Sequence, residues 1–190
     1  MPETRVAKPG DLCVLLLPDD AERLILRRKQ EELNAVYGGW LVPEPHITCQ
    51  RFRLGSAPNY HAVSEAMRAA LSALPPFTVY AASITEFLSP FWGTYVIRWR
   101  VQEDEGFQAF LKTIDQTLLA SGCEIHYEHD FPPTCSAVEV SRPIRLDIPA
   151  QFSFPQALFM GHRVMVTGIL GMDEFETLGE YSLSGSVVRP

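Results

Sequence analysis

The chain has 190 residues, of which 46% are hydrophobic and 21% charged, values that are ordinary for a globular protein. We therefore expect a single domain over residues 1–190, with one core or two small lobes that share it. The net charge of -7 disfavours a long nucleic-acid duplex as partner, because such binding depends on lysines and arginines that neutralise phosphates. A nucleotide or the end of an RNA strand stays possible as a ligand.

The remaining composition argues against a membrane protein and against a disulfide scaffold. No apolar run reaches the roughly 20 residues that span a bilayer, and residues 1–11 are polar, unlike a secretory signal. The four cysteines include no Cys-x-x-Cys pair. We expect a cytoplasmic monomer without a membrane partner.

The first elements predicted along the chain are a strand and a helix. The apolar run at 12–17 is typical of a buried strand, and residues 21–36 fit an amphipathic helix that includes Leu24 and Ile25. Gly38 and Gly39 supply the stop signal of that helix. A strand over 46–54 is expected next.

The rest of the chain predicts further helices and strands in alternation. We expect helices over 59–74 and 105–120, and strands over 77–87, 95–101, 134–140, 164–170 and 180–183. Prolines 143, 149 and 155 indicate a loop where the first half has its second helix. The order of elements resembles a duplicated unit.

Two short polar segments, one in each half, open predicted strands directly after proline. His46-Ile47-Thr48 follows Glu44-Pro45, and Thr134-Cys135-Ser136 follows Pro132-Pro133. Because side chains alternate between the faces of a strand, His46 and Thr48 share a face, as do Thr134 and Ser136. The pair predicts one small polar site that faces a cleft.

These segments, the chain length and the order of elements resemble the 2H phosphoesterase superfamily, the RNA 2',5'-ligase-like or cyclic phosphodiesterase proteins. The resemblance covers roughly residues 12–183. It implies an α+β fold of two duplicated lobes, with antiparallel-rich sheets, helices packed outside and a central cleft. Each lobe of that family contributes one His-x-Thr/Ser strand, and the site uses no metal and no other cofactor.

The resemblance also implies a substrate and roles for the site residues. The substrate would be a 2',3'-cyclic phosphate or a 2',5' phosphodiester of RNA or a nucleotide. His46 would transfer a proton, because histidine titrates near neutral pH. The hydroxyls of Thr48 and Ser136 would bind the phosphate oxygens.

The second half departs from the family pattern, since Thr134 stands where the second histidine is expected. A threonine hydroxyl can donate a hydrogen bond to phosphate, but it does not ionise near pH 7. Losing one general acid or base typically costs about 10²- to 10⁴-fold in rate. Three interpretations stay open: an enzyme with altered or reduced activity, a non-catalytic protein that binds nucleotides or RNA ends, and an engineered variant.

Two further residues are candidates for substrate contact. His129 lies five positions before Thr134, about 16 Å away if the segment is extended, so it reaches the cleft only if the Pro-rich turn folds it back. Trp92 lies in a Pro/Gly loop and could stack on a base. Arg51 and Arg53 alternate to the face opposite His46, which excludes them from the phosphate site.

A zinc site built from Cys123, His126, His129 and Cys135 is the main alternative for this region. The spacing disfavours it, because the two-residue knuckle of structural zinc sites is absent. In addition, Cys135 is predicted on the strand face opposite Thr134 and Ser136. We expect no metal.

Overall fold

The computed structural model describes residues 8–89, 93–126, 132–147, 152–170 and 175–186. The elements in chain order are β1 Leu12–Leu17, α1 Asp20–Tyr37, β2 Trp40–Leu41, β3 Ile47–Arg53, α2 Tyr60–Ser72, β4 Phe77–Leu88, β5 Tyr95–Val101, α3 Glu105–Ala120, β6 Glu124–Ile125, β7 Thr134–Val140, β8 Gln156–Gly161, β9 Arg163–Ile169 and β10 Phe175–Ser182. Helices and one antiparallel sheet together confirm the predicted α+β class.

The described strands form a ten-stranded sheet with the order β10-β9-β1-β3-β7-β5-β4-β8, to which β2 adds beside β7 and β6 beside β3. Within the described residues, neighbouring strands pair in antiparallel orientation. At the centre, β3 and β7 pair at one position only, Ile47 with Cys135. The sheet therefore consists of two groups of strands that meet along β3 and β7.

The two central groups repeat one order of elements, strand, helix, two-residue strand, strand. In the first, β1, α1, β2 and β3 follow one another, and in the second β5, α3, β6 and β7. The short strands are exchanged, because β2 pairs with β7 and β6 pairs with β3. Gly39, with φ 107°, permits this approach, since a Cβ there would lie 2.0 Å from the Glu139 carbonyl oxygen. Whether the chain is a single domain of two lobes stays a prediction.

The helices cover one face of the sheet, and α2 and α3 each bury a row of apolar residues against it. Val63, Met67 and Leu71 of α2 are buried, as are five residues of α3 that recur every three or four positions. Their side chains join those of the strands in the main core. Both helices begin at a side-chain cap, Asn59 for α2 and Asp104 for α3.

The helix α1 is confirmed, but it does not bury Leu24 and Ile25, the apolar residues on which its prediction rests. Leu24 and Ile25 are 68% and 54% exposed, whereas Leu26, Gln30 and Leu33 face the core. A buried glutamine in the middle of the row hides the apolar periodicity from the sequence. Among the described residues, none of the three helices is both long and apolar enough to cross a bilayer.

The opposite face of the sheet carries a separate small apolar cluster on β1 and β9. It contains Cys13, Leu15, Leu17 and Ile169, with Met165 packed against it, and the described helices contribute no side chain to it. This face, called the open face below, is the side on which a ligand can approach the strands. The alternation of β1 separates it from the core residues Val14 and Leu16.

The last third of the chain contains one strand that the sequence did not indicate. The predicted strands at 164–170 and 180–183 correspond to β9 and β10, although β10 begins earlier, at Phe175. The additional strand, β8, lies at the edge of the sheet and, among the strands that the structure describes, pairs with β4 alone. It directly follows Pro155, and an edge strand tolerates a proline at its start.

Candidate functional site

The pair of Ile47 and Cys135 positions the two polar segments relative to each other. Both side chains are fully buried in the core, whereas the residues on either side of them, His46, Thr48, Thr134 and Ser136, are partly exposed. In an antiparallel pair the flanking residues oppose each other, so position 46 lies beside 136 and position 48 beside 134. The open face thus receives one imidazole and three hydroxyls from the two central strands.

A bulge follows the hydroxyl residue in each of these strands. Leu15 pairs with Thr48 and Val14 with Gln50, which leaves Cys49 as the extra residue of β3. In β7, Ser136 pairs with Arg98 and Val138 with Ile97, so that the extra residue is Ala137. Bulges bend a strand and re-aim its side chains, and here they occur at equivalent places in both halves.

Buried side chains fix both bulges through the helices. From α1, Gln30 Nε2 donates to the carbonyl of Ala137 at 3.0 Å and to that of Val42 at 2.9 Å. At the other bulge, the Gln50 side chain accepts from the Arg51 N–H at 3.0 Å and donates to Asp115 of α3 at 2.7 Å. Gln30 and Asp115 are each the eleventh residue of their helix. These contacts hold Thr48 and Ser136 in place.

His46 has a defined tautomer. Its Nδ1 lies 2.8 Å from the carbonyl oxygen of Glu44, which can only accept, so Nδ1 carries the hydrogen. In the neutral ring Nε2 is then the unprotonated nitrogen and can act as a base. Burial lowers the pKa of His46 from its ordinary 6.5, and the contact and charge of Glu44 oppose this only in part. The neutral base therefore dominates at pH 7.

The second half places an arginine where the first has an aliphatic side chain. Arg98 pairs with Ser136, and its Nη1 donates to Thr134 Oγ1 at 3.3 Å. Its guanidinium also lies over the ring of Phe87, 3.6 Å from the ring centre. Arg98 is not among the predicted site residues, although the sequence carries a signal for it: Arg98 and Arg100 alternate with the buried Trp99 on one strand.

Solved structures share this fold. E. coli LigT complexed with 3'-AMP is 16% identical and matches 93% of this chain and 99% of its own, with a TM-score of 0.64. A phosphoesterase is 16% identical over 93% and 99%, with a TM-score of 0.63. TT0787 of Thermus thermophilus is 18% identical over 92% and 98%, with a TM-score of 0.61. The chain has the 2H phosphoesterase fold.

The predicted resemblance is thereby confirmed for the fold, with its antiparallel sheet and helices outside. No protein-family model and no curated protein sequence matches the chain. LigT has also been crystallised with phosphate, ATP and NADP+. Within the 2H phosphoesterase fold of this chain, the roles of His46, Thr48, Thr134 and Ser136 stay predictions, as do the cytoplasmic location and the monomeric state.

The strand face predicted for Arg51 and Arg53 is wrong. Arg51 pairs with Cys13, which shares the open face with Leu15 and Thr48, because the bulge at Cys49 shifts the alternation by one residue. Arg51 is nevertheless buried, with Nε 3.6 Å from Asp11, and Arg53 Nε lies 2.7 Å from the same carboxylate. Both arginines thus form an ion cluster at the far end of β3.

The remaining candidates fall into two groups. Trp92 and His129 lie outside the described residues, so both stay predictions. Within the described residues, ligand atoms close enough for a metal occur in Asp19, Glu22 and His162. These side chains have structural contacts, because Asp19 caps α1 and Glu22 accepts from the backbone of Met160 on β8.

Proposed function

We propose that the chain is a 2H phosphoesterase whose open face binds the phosphate of a nucleotide or an RNA end. The observation that carries the proposal is the pairing of Ile47 with Cys135, which brings His46 beside Ser136 and Thr48 beside Thr134. The shared fold with E. coli LigT, which was crystallised with 3'-AMP and with phosphate, supports a nucleotide phosphate as the ligand. The proposed substrates are 2',3'-cyclic phosphates and 2',5' phosphodiesters.

In the proposed reaction His46 is the base. Its Nε2 removes a proton from the attacking water or hydroxyl, whose oxygen forms a bond to phosphorus while the bond to the leaving oxygen breaks. Thr48 and Ser136 donate hydrogen bonds to the non-bridging oxygens as charge shifts onto them. The hydrogen bond from Nδ1 to Glu44 keeps the ring oriented and stabilises the imidazolium that forms.

The departing oxygen lacks a comparable proton donor. Thr134 does not ionise near neutral pH, and its Oγ1 already accepts from Arg98. We therefore expect hydrolysis of a cyclic phosphate about 10²- to 10⁴-fold slower than with a second general acid. The same observation favours the second candidate function, a protein that binds nucleotides or RNA ends without cleaving them.

Turnover of a 2',3'-cyclic nucleotide separates the two functions. The enzyme interpretation predicts slow turnover that His46→Ala abolishes, while His61→Ala, an exposed histidine at the start of α2, leaves it unchanged. Binding of the nucleotide without turnover would favour the binding protein. If His46→Ala changed neither binding nor turnover of the nucleotide, the open face around His46 would not be the nucleotide site.

Thr134→His provides the complementary test, because it introduces an imidazole at the position of the expected second histidine. A gain in turnover above the wild-type rate is expected, and Thr134→Val is the matched control without a titrating group. Binding by the wild type with activity only in Thr134→His would identify a cleft that has lost its chemistry. A third test, turnover lost in both His46→Ala and His129→Ala, would identify His129 as the second proton-transfer group.

A further inference from the structure

We propose that Arg98 is the phosphate-binding residue of the second half of the site, where it supplies a fixed positive charge in place of a titrating histidine. This inference rests on the proposed function, since it assigns a role at the same open face. It also specifies how the ligand would bind, with its anionic phosphate between β3 and β7. The sequence alone assigns no role to Arg98.

The equivalence of the two halves shows how Arg98 is placed. In the first half, Leu15 pairs with the hydroxyl residue Thr48, just before the register shifts at the bulge. In the second half, the residue with the same relation to Ser136 is Arg98. The half that carries the imidazole thus has an apolar neighbour, and the half that lacks it has a guanidinium.

Contacts with Thr134 and Phe87 help to orient the guanidinium before any ligand arrives. Thr134 Oγ1 accepts from Nη1 at 3.3 Å, and the Phe87 ring lies against the planar group, 3.6 Å from its central carbon. A guanidinium stacked on a ring loses little freedom on binding, and its fork of donors matches two phosphate oxygens. Arg98 is partly exposed, so a ligand on the open face can reach it.

The charge of the site also depends on Arg98. Burial lowers the pKa of His46, so its ring is neutral at pH 7 and above and contributes no full positive charge. An arginine stays charged throughout this range. Arg100 lies on the same face of β5 but is exposed, and Glu139 of β7 brings a negative charge to that face.

The experiment measures binding of 3'-AMP and of adenosine at pH 8 by titration calorimetry. Arg98→Gln keeps a side-chain donor for Thr134 but removes the charge, and it should weaken 3'-AMP binding about 10- to 100-fold. Adenosine lacks the phosphate, so its affinity should be unchanged. Arg98→Lys should recover part of the loss, and Arg28→Gln, at an exposed arginine of α1, is the control that removes one charge away from the open face.

Each outcome decides the assignment. Equal affinity for 3'-AMP in Arg98→Gln and Arg28→Gln would overturn the assignment. A parallel loss of adenosine binding in Arg98→Gln would also overturn it, because that loss would indicate a structural role. If Ser136→Ala lost 3'-AMP binding while Arg98→Gln kept it, the role of Arg98 would be wrong, whereas the proposed phosphate site would stand. If wild-type protein bound neither 3'-AMP nor inorganic phosphate, the proposed function would fail together with the inference. Thermal unfolding of each variant, Arg98→Lys included, identifies any loss that comes from misfolding.

Discussion

Ile47 of β3 lies opposite Cys135 of β7, and this buried pair is the position at which the two central strands pair directly. Its neighbours on each strand project to the open face, so a contact inside the core determines the geometry of a polar site outside it. The bulges at Cys49 and Ala137 have the same position relative to the pair. The backbone is therefore symmetric here, while the side chains His46 and Thr134 are not.

Gln30→Leu should destabilise the protein and disturb the second half of the site. The amide of Gln30 donates to the carbonyls of Val42 and Ala137, and leucine would leave these acceptors without that donor. The expected loss is about 1–3 kcal/mol in the free energy of unfolding, measured by urea denaturation. Nucleotide binding should also weaken, because Ala137 directly follows Ser136.

Glu32→Leu is the matched control for this substitution, since position 32 is exposed on the same helix. It should change the free energy of unfolding by about 0.5 kcal/mol or less. Equal stability of the two variants would show that the hydrogen bonds of Gln30 do not stabilise the bulge.

His46 should titrate below the ordinary histidine pKa of 6.5. Burial disfavours its charged form more than Glu44 favours it, so the folded pKa lies below 6.5. The folded state then binds fewer protons at this group than the unfolded state does. The group therefore leaves the free energy of unfolding unchanged well above pH 6.5 and lowers it as the pH falls below 6.5. The NMR titration of the imidazole resonances gives the pKa, and His46→Ala assigns the signal. A midpoint at or above 6.5 would contradict the burial of this ring.

Hydrophobic periodicity predicted α2, α3 and most strands because local patterns determine them. The side of α1 that faces the core does not follow from its apolar pattern, since it includes Gln30, whose buried amide donates to the carbonyls of Val42 and Ala137, outside the helix. The predicted face of Arg51 is wrong because the bulge at Cys49 depends on pairing with β1. Alternation along one strand cannot reveal such a bulge.

The sequence predicts the candidate site only in part, because part of the site depends on how the strands pair. The segments at His46 and Thr134 are recognisable because proline, polar residue and strand are contiguous. The place of Arg98 depends on how β5 pairs with β7, and its orientation depends on Phe87 of β4. Such cross-strand neighbours follow from register, which the sequence of one strand does not contain.

Asp11→Asn should be among the most destabilising single substitutions at the open face. Burial would raise the pKa of Asp11, but the hydrogen bond from the Lys8 backbone and the charges of Arg53 and Arg51 outweigh it, so the pKa lies below 3.8. The substitution removes the carboxylate that faces the buried guanidinium of Arg51, at a cost of about 3 kcal/mol.

The pH dependence provides the check on this prediction. A carboxylate with a lowered pKa stabilises the fold above 3.8, and the effect disappears as the pH falls through the folded value. The difference in unfolding free energy between wild type and Asp11→Asn should therefore be constant near neutral pH and shrink below pH 3.8. A difference that is absent at pH 7 would show that the ion cluster adds nothing to stability.

The leaving group should control the rate of the proposed hydrolysis. Neither Thr134 nor a permanently charged Arg98 can protonate the departing oxygen, so it leaves as an anion and takes its proton from solvent afterwards. An aryl phosphodiester such as bis(4-nitrophenyl) phosphate should react much faster than a 2',3'-cyclic nucleotide, whose leaving oxygen is a basic alkoxide. Thr134→His should narrow this ratio by about 10²- to 10⁴-fold, because the imidazole can donate the proton, whereas Thr134→Val should not. The measurement is kcat/KM for both substrates in the three proteins. Equal ratios in all three would mean that protonation of the leaving oxygen does not limit the reaction.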